Sequence, residues 1–129
     1  MFIKKINELR REFLGKYFKP ITEDDLIEIS QPNTQVVVIE DREIRAMAFV
    51  YHVRSLTRSA LVFEEFMVDP DYRNQGYGQK LMDKIIELAK ELKVDCIECC
   101  VREGNVPARN LYFNNGFRNR ENLAVRKWM

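Results

Sequence analysis

Long apolar runs are missing from this chain. None approaches the roughly 18 residues that a membrane span requires. The opening Met-Phe-Ile-Lys-Lys also lacks the apolar core of a secretory signal. The expectation is a cytoplasmic protein with no membrane partner. Cysteine is scarce. Cys96, Cys99 and Cys100 are an odd number crowded into one stretch, with no histidine or further cysteine close by. That excludes a disulfide framework and a zinc site, so the three read as buried, reduced thiols, and no metal is expected. A surplus of one charge is absent too: 21 basic and 20 acidic residues leave a net charge of +1, which gives no electrostatic case for nucleic acid. The lone histidine, His52, falls at a strand end and reads as a surface residue rather than a base. With no repeat, linker or low-complexity segment, 129 residues that are 46% hydrophobic and 32% charged fit a single globular domain over positions 1–129.

What is present is organised around Val-Asp-Pro-Asp-Tyr-Arg-Asn-Gln-Gly-Tyr-Gly, from Val68 to Gly78. Before it, Ala60 to Val68 is rich in β-branched, aromatic and aliphatic residues and reads as a strand, and Pro70 marks its end. After it, Leu81, Met82, Ile85, Ile86, Leu88, Ala89 and Leu92 recur at helical spacing. Gly76 and Gly78 would let the backbone take conformations closed to other residues and approach a ligand closely. A turn whose N–H groups converge at a helix start offers unpaired donors and the positive end of the helix dipole. Three or four charge-assisted hydrogen bonds at about 1.5–3 kcal/mol each would hold a pyrophosphate without any lysine in contact. The candidate ligands are Arg73, Asn74, Gln75, Gly76, Tyr77 and Gly78, although an isolated Gly-x-Gly also makes plain tight turns. A Walker loop is excluded by the missing Gly-Lys-Ser/Thr, and the dinucleotide fingerprint by Leu81, which stands where its third glycine belongs.

The remaining chain supplies the frame. Ile6, Leu9, Phe13 or Leu14, and Tyr17 suit a first helix; alternatively Asn7 caps it and Phe2 to Ile6 form a short strand. Thr22 with Asp25 resembles a capping box opening a short helix through Ile29, which the run Ser30 to Asn33 ends. Gln35 to Glu40 and Ile44 to His52 pair as a hairpin, and Ala60 to Val68 follows as a third antiparallel strand. The helix from Gly76 to Lys93 then leads to a strand at Val94 to Val101, a parallel crossover. A further helix, Asn105 to Asn114, ends at Gly116, and Leu123 to Met129 reads as a last strand. The class is α/β: a mixed sheet, antiparallel and then parallel, with helices on both faces.

Strand, Val-x-Pro, Arg73-x-x-Gly76-x-Gly78 and an amphipathic helix together resemble the acyl-coenzyme-A-binding motif of the GNAT superfamily of N-acetyltransferases. A second block, Asn105, Ala108, Leu111-Tyr112 and Gly116-Phe117, resembles the pattern that follows the fifth strand in that family. The resemblance implies a GNAT-like fold, acetyl-coenzyme A as acetyl donor, and direct transfer to a primary amine of a small molecule or protein. It places Tyr112 where relatives carry the tyrosine that protonates the departing thiolate. Asn105 would meet the pantetheine arm, Arg109 a phosphate, and the main chain of Met67 and Val68 the pantetheine amides, between strands that splay apart. A phenol of pKa about 10 stays protonated at pH 7 and can donate to a thiolate whose acid has a pKa of about 8.5. A lysine-like acceptor is neutral in only about one molecule in 2,500 at pH 7, so a base is worth having. Relatives often carry one on the face shared by positions 62 and 64, which selects Glu64 and turns Glu65 to the opposite face. Where relatives that modify protein N-termini often carry an acid, two residues before Arg102, this chain has Cys100, which weakens that acceptor class. An acyl-enzyme on Cys100 lacks an activating histidine. The rival reading is a catalytically inactive coenzyme-A-binding module, regulatory or structural, within a homodimer that completes the sheet.

Overall fold

The computed structural model describes residues 2–29 and 31–129. Ser30, with which the helix-ending run begins, lies outside the described residues. The first helix, α1, spans Phe2–Leu14 and runs into a 3-10 turn at Gly15–Tyr17. It starts at Phe2, so the alternative of a first strand there is set aside. Ile6, Leu9 and Arg10 share its buried face, and the two apolar members pack with Met47 and Met67. Asn7 does not cap the helix. Its amide instead exchanges two hydrogen bonds with the main chain of Ile21, at 2.8 and 2.9 Å, and so fixes the connector to α2, Glu23–Ile29. The capping box at α2 forms as read: Asp25 N–H donates to Thr22 Oγ1 at 3.1 Å and Thr22 N–H donates to Asp25 Oδ2 at 2.7 Å.

Strands β1, Thr34–Asp41, β2, Glu43–Arg54, and β3, Ser59–Val68, are antiparallel neighbours, and the hairpin between the first two turns at Arg42 with φ 69°. Helix α3, Tyr77–Leu92, crosses to β4, Cys96–Cys99, which pairs parallel to β3 and closes the order β1-β2-β3-β4. Helix α4, Val106–Asn114, follows. One sheet face buries Ala46, Ala48, Val50, Leu61 and Phe63 against Leu81, Met82 and Ile85 of α3 and Tyr112 of α4; the other carries α1. Helices on both faces of a mixed sheet are what the sequence led us to expect.

Three expectations need correction. The parallel strand is four residues, Cys96–Cys99, not the eight from Val94 to Val101, and its ladder with β3 runs only from Ala60 to Phe63. Leu123 to Met129 forms no strand; the segment meets no sheet edge, and Leu123, Val125 and Trp128 stand 90%, 90% and 82% exposed. The thiols are free, but Cys100 is exposed and the other two are only half-buried.

The helical hairpin at the N-terminal side is tied to the end of β3 by ion pairs. Arg10, buried, meets Glu65 through two bonds of 2.9 and 3.1 Å and donates to Lys19 O at 2.6 Å. Lys5 reaches buried Asp69 at 2.5 Å, and Asp69 also accepts the Asp71 N–H at 3.0 Å. Burial alone would raise the Asp69 pKa; the Lys5 bond, the Asp71 N–H and nearby positive charge outweigh it and hold the carboxyl below its ordinary 3.8. A depressed carboxyl contributes stability that is fully present above the ordinary value and is lost as pH falls through the folded one. Urea unfolding between about pH 5 and pH 1 should therefore show a loss of stability that Asp69→Asn flattens. An acid limb of unchanged steepness in the variant would assign the loss to other carboxylates.

Candidate active site

The turn ahead of α3 is built in three steps. Asp69 caps the 3-10 turn Pro70–Tyr72, Arg73 returns the chain to extended geometry, and Asn74 and Gly76 then take positive φ of 61° and 86°. The first bond of the helix runs from Lys80 N–H to Gly76 O at 3.0 Å. The N–H groups of Tyr77, Gly78 and Gln79 consequently precede any carbonyl they could reach within the helix. The first turn of α3 carries no acid to compete for them. Its neighbours hold it in place: the Tyr77 hydroxyl donates to Asp41 Oδ2 at 2.9 Å, and Gln79 and Asn115 exchange amide bonds of 2.9 Å with the far end of α4. These are main-chain donors left unpaired at a helix start, the kind of group that suits an anion.

The two glycines do different work. Only Gly76 has the left-handed backbone; a Cβ there would touch nothing within 4 Å, so the constraint is conformational. Gly78 has no positive φ, and a Cβ there would lie 3.4 Å from Leu111 Cδ2 and 3.6 Å from Val68 Cγ2. Its role is close approach of α3 to α4 and β3, which corrects the expectation that both glycines serve backbone freedom.

Beside this turn the sheet opens. The β3–β4 ladder ends at Phe63↔Cys99, while β3 continues to Val68. From Glu64 onward, the β4-side edge of β3 has no strand partner among the described residues. That leaves a slot in the strand pairing alongside Met67 and Val68, at the end of β3 from which the chain passes to the α3 turn.

The slot is shaped by a bulge. β3 uses three steps from Glu64 to Met67 where β2 uses two from Met47 to Phe49, and Glu65 absorbs the extra residue at φ 52°. Phe63 and Phe66 thereby reach the same cluster, and Glu64 and Glu65 both end on the α1 face, where Glu65 binds Arg10. Simple alternation would have separated the two acids, so the assignment of Glu65 to the opposite face is overturned. Glu64 is exposed, and its Oε1 accepts a hydrogen bond from the Tyr51 hydroxyl at 3.1 Å. Burial, then the Glu64 carboxylate, push the Tyr51 phenol up to about 12.

Tyr112 lies on the other face, 5% exposed, with its ring 5.3 Å from Phe63, 5.7 Å from Phe66 and 5.7 Å from Phe117. Burial, and then the neighbouring Cys99, raise its phenol pKa above the ordinary value, so it keeps its proton. Cys99 is itself pushed up to about 12 by burial, far from a thiolate nucleophile at neutral pH. Glu64 and Tyr112 therefore lie on opposite faces of the sheet, Glu64 with Tyr51 and Tyr112 with Phe63, Phe66 and Phe117. Asn105 caps α4, its Oδ1 accepting the Ala108 N–H at 3.3 Å, and Gly116 ends the helix at φ 92° with Phe117 N–H bonded back to Tyr112 O at 3.0 Å. Arg109 is not brought to the turn at Gly76: it donates to Glu103 O at 3.0 Å and lines a cavity outside β4 to which residues 73–78 contribute nothing. Tyr51, the hydrogen-bond partner of the candidate base Glu64, is a residue that sequence reasoning did not single out. The hairpin register carries its signal, since Phe49 and Tyr51 stand opposite Glu64 and Val62.

Among the described residues no cluster of His, Cys, Asp and Glu could hold a metal, and no helix is long and apolar enough to cross a membrane. Comparison with known proteins adds the following. An uncharacterized N-acetyltransferase of Methanocaldococcus jannaschii is 35% identical over 72 residues, which are 56% of this chain and 31% of that protein, so the match spans about a third of the relative's length. A transcriptional regulator from Bacillus halodurans shares the fold with a TM-score of 0.81 at 22% identity, covering 97% of this chain and 93% of the other. A Trypanosoma brucei acetyltransferase does so at 0.78 and 20%, covering 98% and 92%. An aminoglycoside acetyltransferase from an uncultured soil sample reaches 0.82 at 18%, covering 98% and 88%. The model of the acetyltransferase (GNAT) family matches residues 3–117, which takes in the turn ahead of α3, the unpaired end of β3 and the aromatic cluster around Tyr112, and this chain belongs to that family.

Proposed function

We propose that this protein transfers an acetyl group from acetyl-coenzyme A directly to a primary amine. The observation that carries the reading is the continuity between the donor-rich turn at Gly76 and the unpaired stretch of β3, a path of main-chain groups leading from a diphosphate site into the sheet. Arg73 and the N–H groups up to Gly78 would bind the diphosphate, and the edge of Met67 and Val68 would pair with the pantetheine amides as an added strand does. Asn105 has its Oδ1 committed to the cap, which leaves its amide N–H groups for the arm. Glu64, with Oε1 taken by Tyr51, offers Oε2 to the proton that the acceptor ammonium must lose before its nitrogen can attack the thioester carbon. The thiolate that leaves takes its proton from Tyr112. Arg109 has no part in this scheme.

A small-molecule amine is favoured as acceptor, because the aminoglycoside enzyme shares the fold over nearly the whole of this chain. Purified protein given acetyl-coenzyme A should release thiol only when an amine is added. At pH 7, Glu64→Gln should lower kcat/KM for a lysine-like amine about a hundredfold, the low end of what a positioned base contributes. The deficit should shrink as pH approaches the amine's own pKa of about 10.4, where the base is no longer needed. Equal rates in the two proteins at pH 7 would remove Glu64 from the reaction. One observation favours the inactive-module reading, namely the burial of Tyr112 in an aromatic cluster. Coenzyme A binding without thiol release across an amine panel would select that module.

A further inference from the structure

We propose that two copies of this chain join edge to edge along β1, antiparallel about a twofold axis at Val37, with their α3 helices side by side over the seam. β1 is an outer strand of the sheet, and among the described residues its free edge has no strand partner. From 34 to 39 it carries no proline and no charge, and Val36, Val37 and Val38 lie at its centre. Such an edge is a template for another strand unless something covers it. Lys84 of α3 is what guards it: its Nζ donates to Val38 O at 3.0 Å. The guard overhangs a groove of about 380 Å³ walled by Val36 and Val38 and by Lys84, Glu87 and Glu91.

The edge offers a definite set of main-chain groups. Asn33 O accepts the His52 N–H at 2.7 Å, so the odd positions of β1 turn their N–H and C=O to β2, and Val36 and Val38 turn theirs outward. A second β1 laid antiparallel, with Val37 opposite its own copy, lets Val36 and Val38 exchange both bonds on each side of the axis. Every side chain stays on its own face of the sheet in that register.

Charge selects this same chain as the occupant. Lys80, Lys84, Glu87 and Glu91 are exposed and form one stripe of α3 on the β1 side. Lys80 lies 5.3 Å from the ring of Tyr77, whose hydroxyl is bound to Asp41 of β1. The stripe sets its cations toward the helix N-terminus and its acids toward the C-terminus, the reverse of what the helix's own dipole favours. Against an antiparallel copy the same order is complementary: Lys84 faces Glu87 and Lys80 faces Glu91, each pair occurring twice. Strand and helix put the axis in the same place. α3 runs antiparallel to β1, and Lys84 stands at Val38. The point above Val37 is about 3.3 Å back along the strand, or about two residues on along a helix that rises about 1.5 Å per residue, which is Ile86. The centre of the charge pattern falls between Lys84 and Glu87, within one residue of that point. On pairing, Val38 O takes the Val36 N–H of the second copy, and Lys84 passes from that carbonyl to the second copy's Glu87.

Sedimentation equilibrium of the full chain, with amide hydrogen exchange resolved at Val36 and Val38, tests this. The expected result is a dimer in which both amides are protected. Lys84→Glu sets like charges against Glu87 of the second copy and should weaken association about a hundredfold, as should Glu87→Lys, with folding checked by circular dichroism. Both amides should then exchange freely. Lys84→Glu and Glu87→Lys together restore opposite charges across the axis and should restore the dimer and the protection. A wild-type monomer overturns the proposal. So does a dimer whose Val36 and Val38 amides exchange freely, or one that tolerates either single reversal, since its interface lies elsewhere. Loss of the dimer in both single variants without recovery in the double variant overturns the pairing of Lys84 with Glu87 and the axis with it.

Discussion

Gly76→Val should abolish measurable coenzyme A binding, whereas Gly76→Asn should retain most of it. Nothing lies within 4 Å of the Cβ either residue would add, so bulk is not the issue. The difference is the backbone: φ stands at 86°, which asparagine tolerates and a β-branched residue does not. Forcing valine there costs on the order of 1–3 kcal/mol, which the turn can relieve by rotating its peptide planes. Rotation would turn away the N–H groups proposed to bind the diphosphate. Losing two charge-assisted bonds of about 1.5–3 kcal/mol each weakens binding by about two to four powers of ten. Calorimetric titration with coenzyme A checks the pair of variants, and thermal unfolding controls for the fold. Equal affinity in wild type and Gly76→Val would show that the diphosphate binds elsewhere. Gly78→Ala makes a useful contrast: its new Cβ meets the flexible tip of Leu111 at 3.4 Å, so a small change is expected.

Much of this was legible because it is local. The turn from Val68 to Gly78, the capping box at Thr22 and Asp25, the αL glycine at 116 and the α3 periodicity are each decided within a few residues, and the structure reproduces them. Through-space effects were not legible. The Glu65 bulge is stabilised by Arg10, 55 residues away, and no alternation rule contains that pair. The bulge then sets which acids share a face, so the Glu65 assignment failed while Tyr51, the partner of Glu64, went unseen. Arg109 looked available because it follows Asn105 by one turn, yet the Glu103 carbonyl holds it on the far side of β4. Leu123 to Met129 has a strand's composition, but strand formation needs an edge within reach, which composition does not report.

Tyr112→Phe should lower kcat by about 10²–10⁴ while leaving coenzyme A affinity and thermal stability close to wild type. The substitution removes one hydroxyl and keeps the ring, whose edge-to-face contacts with Phe63 and Phe66 at 5.3 and 5.7 Å hold this part of the core together. Packing is therefore preserved and chemistry is isolated. The sign of the pKa shift also makes a statement about pH. Burial raises the phenol above its ordinary value, so the protonated form that the proposed transfer requires persists well past neutrality. Activity should consequently show no alkaline fall caused by Tyr112 below about pH 10, and any rise with pH should follow deprotonation of the acceptor amine. Rapid-quench measurement of a single turnover separates the acetyl-transfer step from product release. A variant that transfers acetyl at the wild-type rate would make Tyr112 a packing residue, and the thiolate would then have to take its proton from water.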